Sequence, residues 1–206
     1  MSLYEDYILP HVINCACGMK AIDKQREKVV PWARGTVLEI GMGSGLNLKH
    51  YNPESVERVI GLEPSLGMER KAQSNIEQSH VPVQWLTSGA EDIPLPDESI
   101  DTVMLTYSLC TIPDWSAALH EMRRVLSPTG TLVFCEHGEA PDASVQRWQR
   151  RINPIWQSIA GGCQLNRPIP QLIQSAGFQI DDLREHYIPG PKFATYQYYG
   201  TAHFNS

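Results

Sequence analysis

The run VLEIGMGSG sets Glu39 just ahead of three glycines at alternate positions, Gly41, Gly43 and Gly45. Glycine gives up side-chain contacts and is expected where φ is positive or where something must approach the backbone closely. A carboxylate buried at the end of an apolar strand points to a ligand carrying positive charge near that loop. A second acid, Glu63, ends the next apolar run, VERVIGLE. A carboxylate there can accept from both hydroxyls of a ribose. The spacing is G-x-G-x-G, not the G-x-G-x-x-G of dinucleotide folds. Together with the extra acid Glu39, it disfavours a diphosphate ligand and a nicotinamide oxidoreductase.

A second set of residues could take up a proton or line a pocket. His137 follows Glu136 at the carboxyl end of the apolar run TLVFCEH. An imidazole there can take a proton from a thiol or hydroxyl near neutral pH, or simply cap the strand. Cys163 is either a pocket thiol or a packed core cysteine. His11, Cys15 and Cys17 have the spacing H-x-x-x-C-x-C, three ligands of an open zinc site. The simpler reading is the lining of a short helix, and no metal is expected. Tyr4, Tyr7 and His11 fall on one helical face. Trp148, Trp156, Tyr196 and Tyr198 are candidates for the wall of an apolar pocket. The RRINP cluster with Arg147 reads as a solvated face.

The elements that must position these residues alternate. Apolar runs at 36–40, 56–63, 81–87, 99–109 and 131–137 read as strands. Helical patterns intervene at 65–78, opened by Pro64 and Ser65, and at 115–126, closed by the turn SPTG. A further helix is expected from near Ser44, and residues 4–30 read as helical pieces broken at Pro10 and Gly18. Strand–helix alternation implies a doubly wound, mostly parallel sheet with helices on both faces, an α/β fold. The tail departs from it. Helices at 144–159, broken at Pro154, and 170–178 precede two runs, 178–188 and 192–204, joined by PGP. Two strands joined by a short connection pair antiparallel.

At 206 residues the chain has the size of one domain with a full core. Its formal net charge of −6 argues against a general nucleic-acid binder. Five cysteines, an odd number, suggest a reducing, cytoplasmic setting over a disulfide framework. The acidic, aromatic start MSLYEDYILPHV is unlike a signal peptide, and no apolar run approaches the roughly 20 residues of a membrane helix.

With these residues in place the chain resembles the seven-stranded S-adenosylmethionine-dependent methyltransferases of class I, the type 11 group. VLEIGMGSG matches their first motif and VIGLEPS their ribose-binding acid. The block from SGAEDIPLPDESIDTVML to TGTLVFCEH matches their third to fifth strands. The resemblance implies a Rossmann-like sheet of seven strands over a single domain, 1–206, with a helical lid at 1–30 and a cofactor-binding core at 31–206. It implies S-adenosylmethionine as cofactor, and S-adenosylhomocysteine as product. Glu39 then orients the methionyl end and Gly41 to Gly45 pass close to the cofactor. Glu63, with Pro64 beside it, holds the ribose; Ala90 and Glu91 border adenine; Thr106 lies near the methionyl group. Many relatives carry an Asp before the residue matching Ala90, where this chain has Gly89. Either Glu91 or backbone then meets the adenine amino group. Tyr4, Tyr7 and His11 become lid residues.

The segment FCEHGEAPDASVQRWQRRINPIWQSIAGGCQLNRPI resembles the animal alkyl-thiol S-methyltransferases in its Glu136–His137 pair, Pro154 to Trp156, and Gly162, Cys163, Leu165 and Arg167. By that resemblance the acceptor is a small apolar molecule, a thiol by preference, with His137 as the catalytic group and Trp156 and Cys163 in the acceptor pocket. The alternatives are an O-, N- or C-methyltransferase for a lipid, quinone-like or natural-product acceptor, and a non-catalytic cofactor-binding protein.

Overall fold

The computed structural model describes residue 14 and residues 17–204. Tyr4, Tyr7, His11 and Cys15 lie outside the described residues. Seven strands form one sheet: β1 Gly35–Ile40, β2 Val56–Leu62, β3 Val83–Leu86, β4 Ile100–Thr106, β5 Leu126–His137, β6 Gln179–Tyr187 and β7 Tyr196–His203. Their spatial order is β3-β2-β1-β4-β5-β7-β6. The first five pair in parallel; β7 runs antiparallel to β5 and to β6, between which it is inserted. The order reverses at β1 and β4, so their carboxyl ends diverge into a crevice where ligands of such sheets bind.

The described α-helices are α1 Lys20–Val29, α2 Leu66–Glu77, α3 Trp115–Val125, α4 Ala143–Ile159, α5 Ile169–Ser175 and the single turn α6 Lys192–Thr195. Ser65 opens α2, its hydroxyl accepting from Met68 N–H, and Asp114 opens α3 by accepting from Ala117 N–H.

The two-residue period of the strands divides the core. Leu38 and Ile40 of β1 face one side of the sheet with Val103 and Leu105 of β4 and the buried face of α3. Val37 and Met104 face the other side with Val29 and Val30. Each such fully buried aliphatic side chain stabilises the fold by about 1.5–3 kcal/mol. The same alternation turns Glu39 and Thr106 to the side of Val37 and Met104. Lys20–Val29, placed by sequence within the lid, lies on that side and buries Val29 completely.

Several expectations change in detail. No α-helix begins near Ser44. The chain makes successive turns and one short 3-10 turn, Leu48–His50, because Gly41, Gly43 and Gly45 all have positive φ. Pro154 does not break α4, which runs through it. The carbonyl that loses its partner one turn earlier belongs to Arg150, an exposed residue on the solvent side of the helix. The SPTG turn lies inside β5 as an irregularity, since Ile100 pairs Leu126 and Thr102 pairs Thr131. The last strand begins only at Tyr196, after the helical turn at 192–195.

Candidate active site

A cavity of about 300 Å³ opens at the carboxyl ends of β1, β2 and β4. Its walls include Gly41, Gly43, Glu63, Pro64, Ala90, Glu91 and Thr106, seven of the residues singled out from sequence. β1 and β2 deliver two of them together because parallel pairing sets Ile40 beside Leu62. Beyond that pair, Gly43 N–H donates to Glu63 Oε2 at 3.0 Å and Ser65 N–H donates to Glu63 Oε1 at 3.0 Å. Burial raises the pKa of Glu63, partly offset by those two N–H bonds. A carboxylate has about four lone-pair sites, so each oxygen retains capacity for a ligand hydroxyl.

The loop glycines have separate reasons. A Cβ on Gly41 would lie 2.6 Å from Ser108 Oγ, so this glycine lets the loop after β1 close against the loop after β4. Ser108 Oγ donates to the Ile40 carbonyl at 2.7 Å. A Cβ on Gly43 would meet only the Gly41 carbonyl oxygen, at 3.8 Å. The space beyond it is open and belongs to the cavity.

Glu39 sits behind the wall, 2% exposed, and is not itself in the lining. Tyr51 Oη donates to Glu39 Oε2 at 2.8 Å, and Asn47 Nδ2 donates to Glu39 Oε1 at 3.0 Å. Asn47 Nδ2 also donates to Thr106 Oγ1 at 2.9 Å. Arg26 Nη1 donates to Asn47 Oδ1 at 2.8 Å and to Thr106 Oγ1 at 2.9 Å. Burial pushes the Glu39 carboxyl up to about 7, against the opposing pull of Tyr51, Arg26 and Asn47. The guanidinium of Arg26 stands 5.1 Å over the Tyr107 ring and lines the cavity, and its buried Nε has no partner among the described residues. A buried donor without a partner costs roughly 1–3 kcal/mol, and the positive charge of Arg26 in the cavity wall is suited to a ligand acceptor such as a carboxylate.

Arg26, Asn47 and Tyr51 were not singled out from sequence. Arg26 had a readable signal: it lies four residues after Ile22 and three before Val29, on the apolar stripe of its own helix. Gly89 also has a visible effect. A Cβ there would lie 2.8 Å from Glu91 Oε2, so the missing side chain leaves room for that carboxylate at the cavity edge.

His137, Cys163 and Trp156 do not line this cavity. His137 ends β5 with its Nε2 3.2 Å from Cys163 Sγ. Cys110, from the loop after β4, completes a group whose ligand atoms all lie within 4.8 Å of one another. A hydrogen bond from Cys110 lowers the pKa of Cys163, and that bond with burial raises the pKa of Cys110. Burial works to lower the pKa of His137, but its interactions with Cys110, a hydrogen bond among them, and with Glu136 prevail and raise it. Trp156 stands against Cys163 and meets Phe193 edge-on at 6.1 Å. Tyr196 and Tyr198 belong to the core, and Trp148 lines a separate shallow hollow with Val145, Ile152 and Phe193. Glu136 is fully buried and its Oε1 accepts from the N–H groups of Ser108 and Leu109, at 2.7 and 3.1 Å. Those bonds hold the loop carrying Ser108, Cys110 and Thr111.

The acceptor pair at Glu63, the open face of Gly43 and the cation of Arg26 in the cavity wall fit S-adenosylmethionine. They offer contacts for a ribose diol, a close-lying backbone and a terminal carboxylate. Comparison with known proteins agrees. Residues 38–134 match a methyltransferase domain family. The chain is 34% identical over 160 residues to the thiol S-methyltransferase TMT1B of Rattus norvegicus, covering 76% of this chain and 64% of that protein. It is 33% identical over 186 residues to TMT1B of Homo sapiens, covering 85% and 75%. The chain therefore spans about two thirds to three quarters of the length of these curated relatives. Among solved structures, the YcgJ protein of Bacillus subtilis has a TM-score of 0.69 over 90% of this chain and 98% of its own, at 16% identity, a likeness of fold alone. The reversal of strand order at a glycine loop, the acid that ends β2 and the shared sequence lead to one assignment: the chain belongs to the class I S-adenosylmethionine-dependent methyltransferases.

Proposed function

We propose that the protein transfers the methyl group of S-adenosylmethionine to a small, largely apolar acceptor, with an alkyl thiol as the preferred class. When bound, the cofactor supplies an electrophilic methyl on a sulfonium. The chain's own residues bind, orient and exclude water. Glu63 takes the ribose hydroxyls and Arg26 the methionyl carboxylate. Glu39, two hydrogen bonds behind the wall, sets the field on the positively charged end. Ala90 and Glu91 border the base, with Glu91 in the space that Gly89 leaves open.

The observation that carries the acceptor reading is the cavity's other side. Among the described residues, Cys17, Tyr107, Thr111, Ile112 and Pro113 line it, with no carboxylate, histidine or lysine on that side. A displacement at methyl needs alignment above all. A wall without a base suits a nucleophile that ionises easily. A thiol has a pKa near about 8.5, and a few per cent is already thiolate at neutral pH. The relatives named thiol S-methyltransferases support the same class. His137 enters this reading through its contact with Cys163, as part of a Cys–His cluster beside the cavity. The free thiols Cys17, Cys110, Cys135 and Cys163 support a reducing, cytoplasmic setting. No helix among the described residues is long and apolar enough to cross a membrane.

The test is a panel of alkyl thiols, phenols and amines of matched size, assayed with labelled methyl donor. Thiols should show the highest kcat/KM. Transfer confined to phenols or amines would sink the reading in favour of O- or N-methylation. Donor binding with no transfer to any acceptor class would favour a non-catalytic binding protein.

A further inference from the structure

Three soft or borderline ligand atoms converge beside the cofactor cavity without serving it directly. They come from three segments: Cys110 after β4, His137 at the end of β5, and Cys163 in the turn after α4. Their donor atoms lie within 4.8 Å of one another, and His137 Nε2 is 3.2 Å from Cys163 Sγ. Zinc binds sulfur at about 2.3 Å and imidazole nitrogen at about 2.0–2.1 Å, so tetrahedral ligands stand roughly 3.5–3.8 Å apart. The one close contact, at 3.2 Å, and the 4.8 Å bound on the others leave side-chain movements of at most about 1 Å to reach this spacing.

The segments are locked together by bonds that do not involve the three side chains. Gln164 N–H donates to the Cys110 carbonyl at 2.9 Å. Arg167 holds the same loop, Nη1 donating to the Leu109 carbonyl and Nη2 to the Ile112 carbonyl. Leu165 N–H donates to Asn153 Oδ1 of α4 at 2.8 Å. His137 is fixed by the register of β5 against β7, opposite Gln197. The ligand set is therefore built by rigid surroundings, as a metal site requires.

We propose that Cys110, His137 and Cys163 form a three-ligand site for a zinc-class divalent cation, with its fourth position open toward the cofactor cavity. Two thiolates and a neutral imidazole balance the charge of such a cation and select by softness against magnesium and calcium. None of the three ligand residues lines the cavity itself, but their neighbours do, and these set the direction of the open position. Cys110 lies between Ser108 and Thr111, both in the cavity wall. A Cβ on Gly162 would lie 3.8 Å from Thr111, which puts the Cys163 turn directly behind that wall. Cys17 also stands in the wall. Three protein ligands and one open position are the pattern of reactive zinc sites, not of closed structural ones.

On the thiol reading above, the fourth position takes the acceptor sulfur. The thiol loses its proton to solvent as it coordinates. A lone pair of that sulfur then forms the new bond to the methyl carbon. The old carbon–sulfonium bond breaks, and its electron pair stays on the departing sulfur as a neutral thioether. The product is also a neutral thioether, a weak ligand that leaves the cation.

The site is tested by titrating the reduced, full-length protein with cobalt(II) alone, with no methyl donor present. One equivalent should bind, with sulfur-to-cobalt charge-transfer absorption and the intense visible bands of tetrahedral cobalt, and zinc(II) should displace it. Cys110→Ser and Cys163→Ser, each checked for wild-type circular dichroism, should lose the charge-transfer band. A small alkyl thiol should shift the visible bands of the wild-type complex. The site is overturned if reduced wild-type protein shows no stoichiometric charge-transfer band, or if the band survives in both serine variants. The acceptor role alone is overturned if alkyl thiols leave the visible bands unmoved. The cobalt readout involves no turnover, so failure of the thiol reading in the acceptor panel would leave the metal site standing.

Discussion

Arg26 of α1 and Thr106 at the end of β4 lie 80 residues apart and meet at 2.9 Å, Nη1 donating to Oγ1. The same nitrogen donates to Asn47, and Asn47 donates to Glu39, so α1 is tied to the ends of β1 and β4 through one buried network. Arg26→Ala would leave Asn47 Oδ1 buried without its donor. The expected result is a loss of stability on the order of 1–3 kcal/mol, read as a lower denaturation midpoint. Affinity for S-adenosylhomocysteine should fall as well. Wild-type affinity in a folded Arg26→Ala protein would remove Arg26 from the cofactor site.

Glu63 gives a cleaner binding test because it faces the cavity and, among the described residues, is held by two backbone N–H groups alone. Glu63→Ala should weaken binding of S-adenosylmethionine by about 1.5–3 kcal/mol, the range for hydrogen bonds to a charged group. Isothermal calorimetry measures it. An unchanged dissociation constant would move the ribose contact elsewhere.

Glu39 predicts a pH dependence. Its carboxyl is raised from an ordinary 4.5 to about 7, chiefly by burial. The folded state thus holds a proton that the unfolded chain releases. The associated stability is fully present below pH 4.5 and is lost as pH rises through about 7. At 1.36 kcal/mol per unit the loss is on the order of 3 kcal/mol. Glu39→Gln abolishes the titration. Urea melts at pH 5 and pH 8 should show wild type losing stability relative to this variant; parallel pH profiles would refute the argument. Binding of a positively charged cofactor near Glu39 should also release a proton at neutral pH. Calorimetry in buffers of different ionisation enthalpy would detect it.

The loop glycines should separate folding from binding. Both Gly41 and Gly43 have positive φ, so alanine at either carries a strain of roughly 1–2 kcal/mol. At Gly41 the added carbon also strikes Ser108 Oγ, whereas at Gly43 it enters the cavity. Gly41→Ala should therefore lose more stability than Gly43→Ala. Gly43→Ala should lose more cofactor affinity relative to its stability. Thermal melts and calorimetry on the pair decide it, and equal losses in both would mean that the Gly43 face does not meet ligand.

Much of this architecture is written locally. The apolar run at 36–40, the three glycines after it, Glu63 at the end of its own run and the alternation of strands with helices are all patterns a few residues long. They suffice because strand period, glycine conformation and turn chemistry act over that range. They indicated a parallel sheet with an antiparallel tail, and a ligand loop at the end of its first strand. The tertiary structure alone decided which distant residues meet. Glu39 reads as a ligand-facing acid, yet folding turns it behind the wall onto Tyr51 and Asn47, because strand alternation points it at the side covered by α1. Arg26 becomes a cavity residue only when that helix docks. Cys110, His137 and Cys163 come from three segments with no shared spacing. They converge because β4 and β5 are neighbours in the sheet and the turn after α4 folds back over their ends. Strand order and the hydrogen bonds between loops place those side chains, and neither is a local property of the chain.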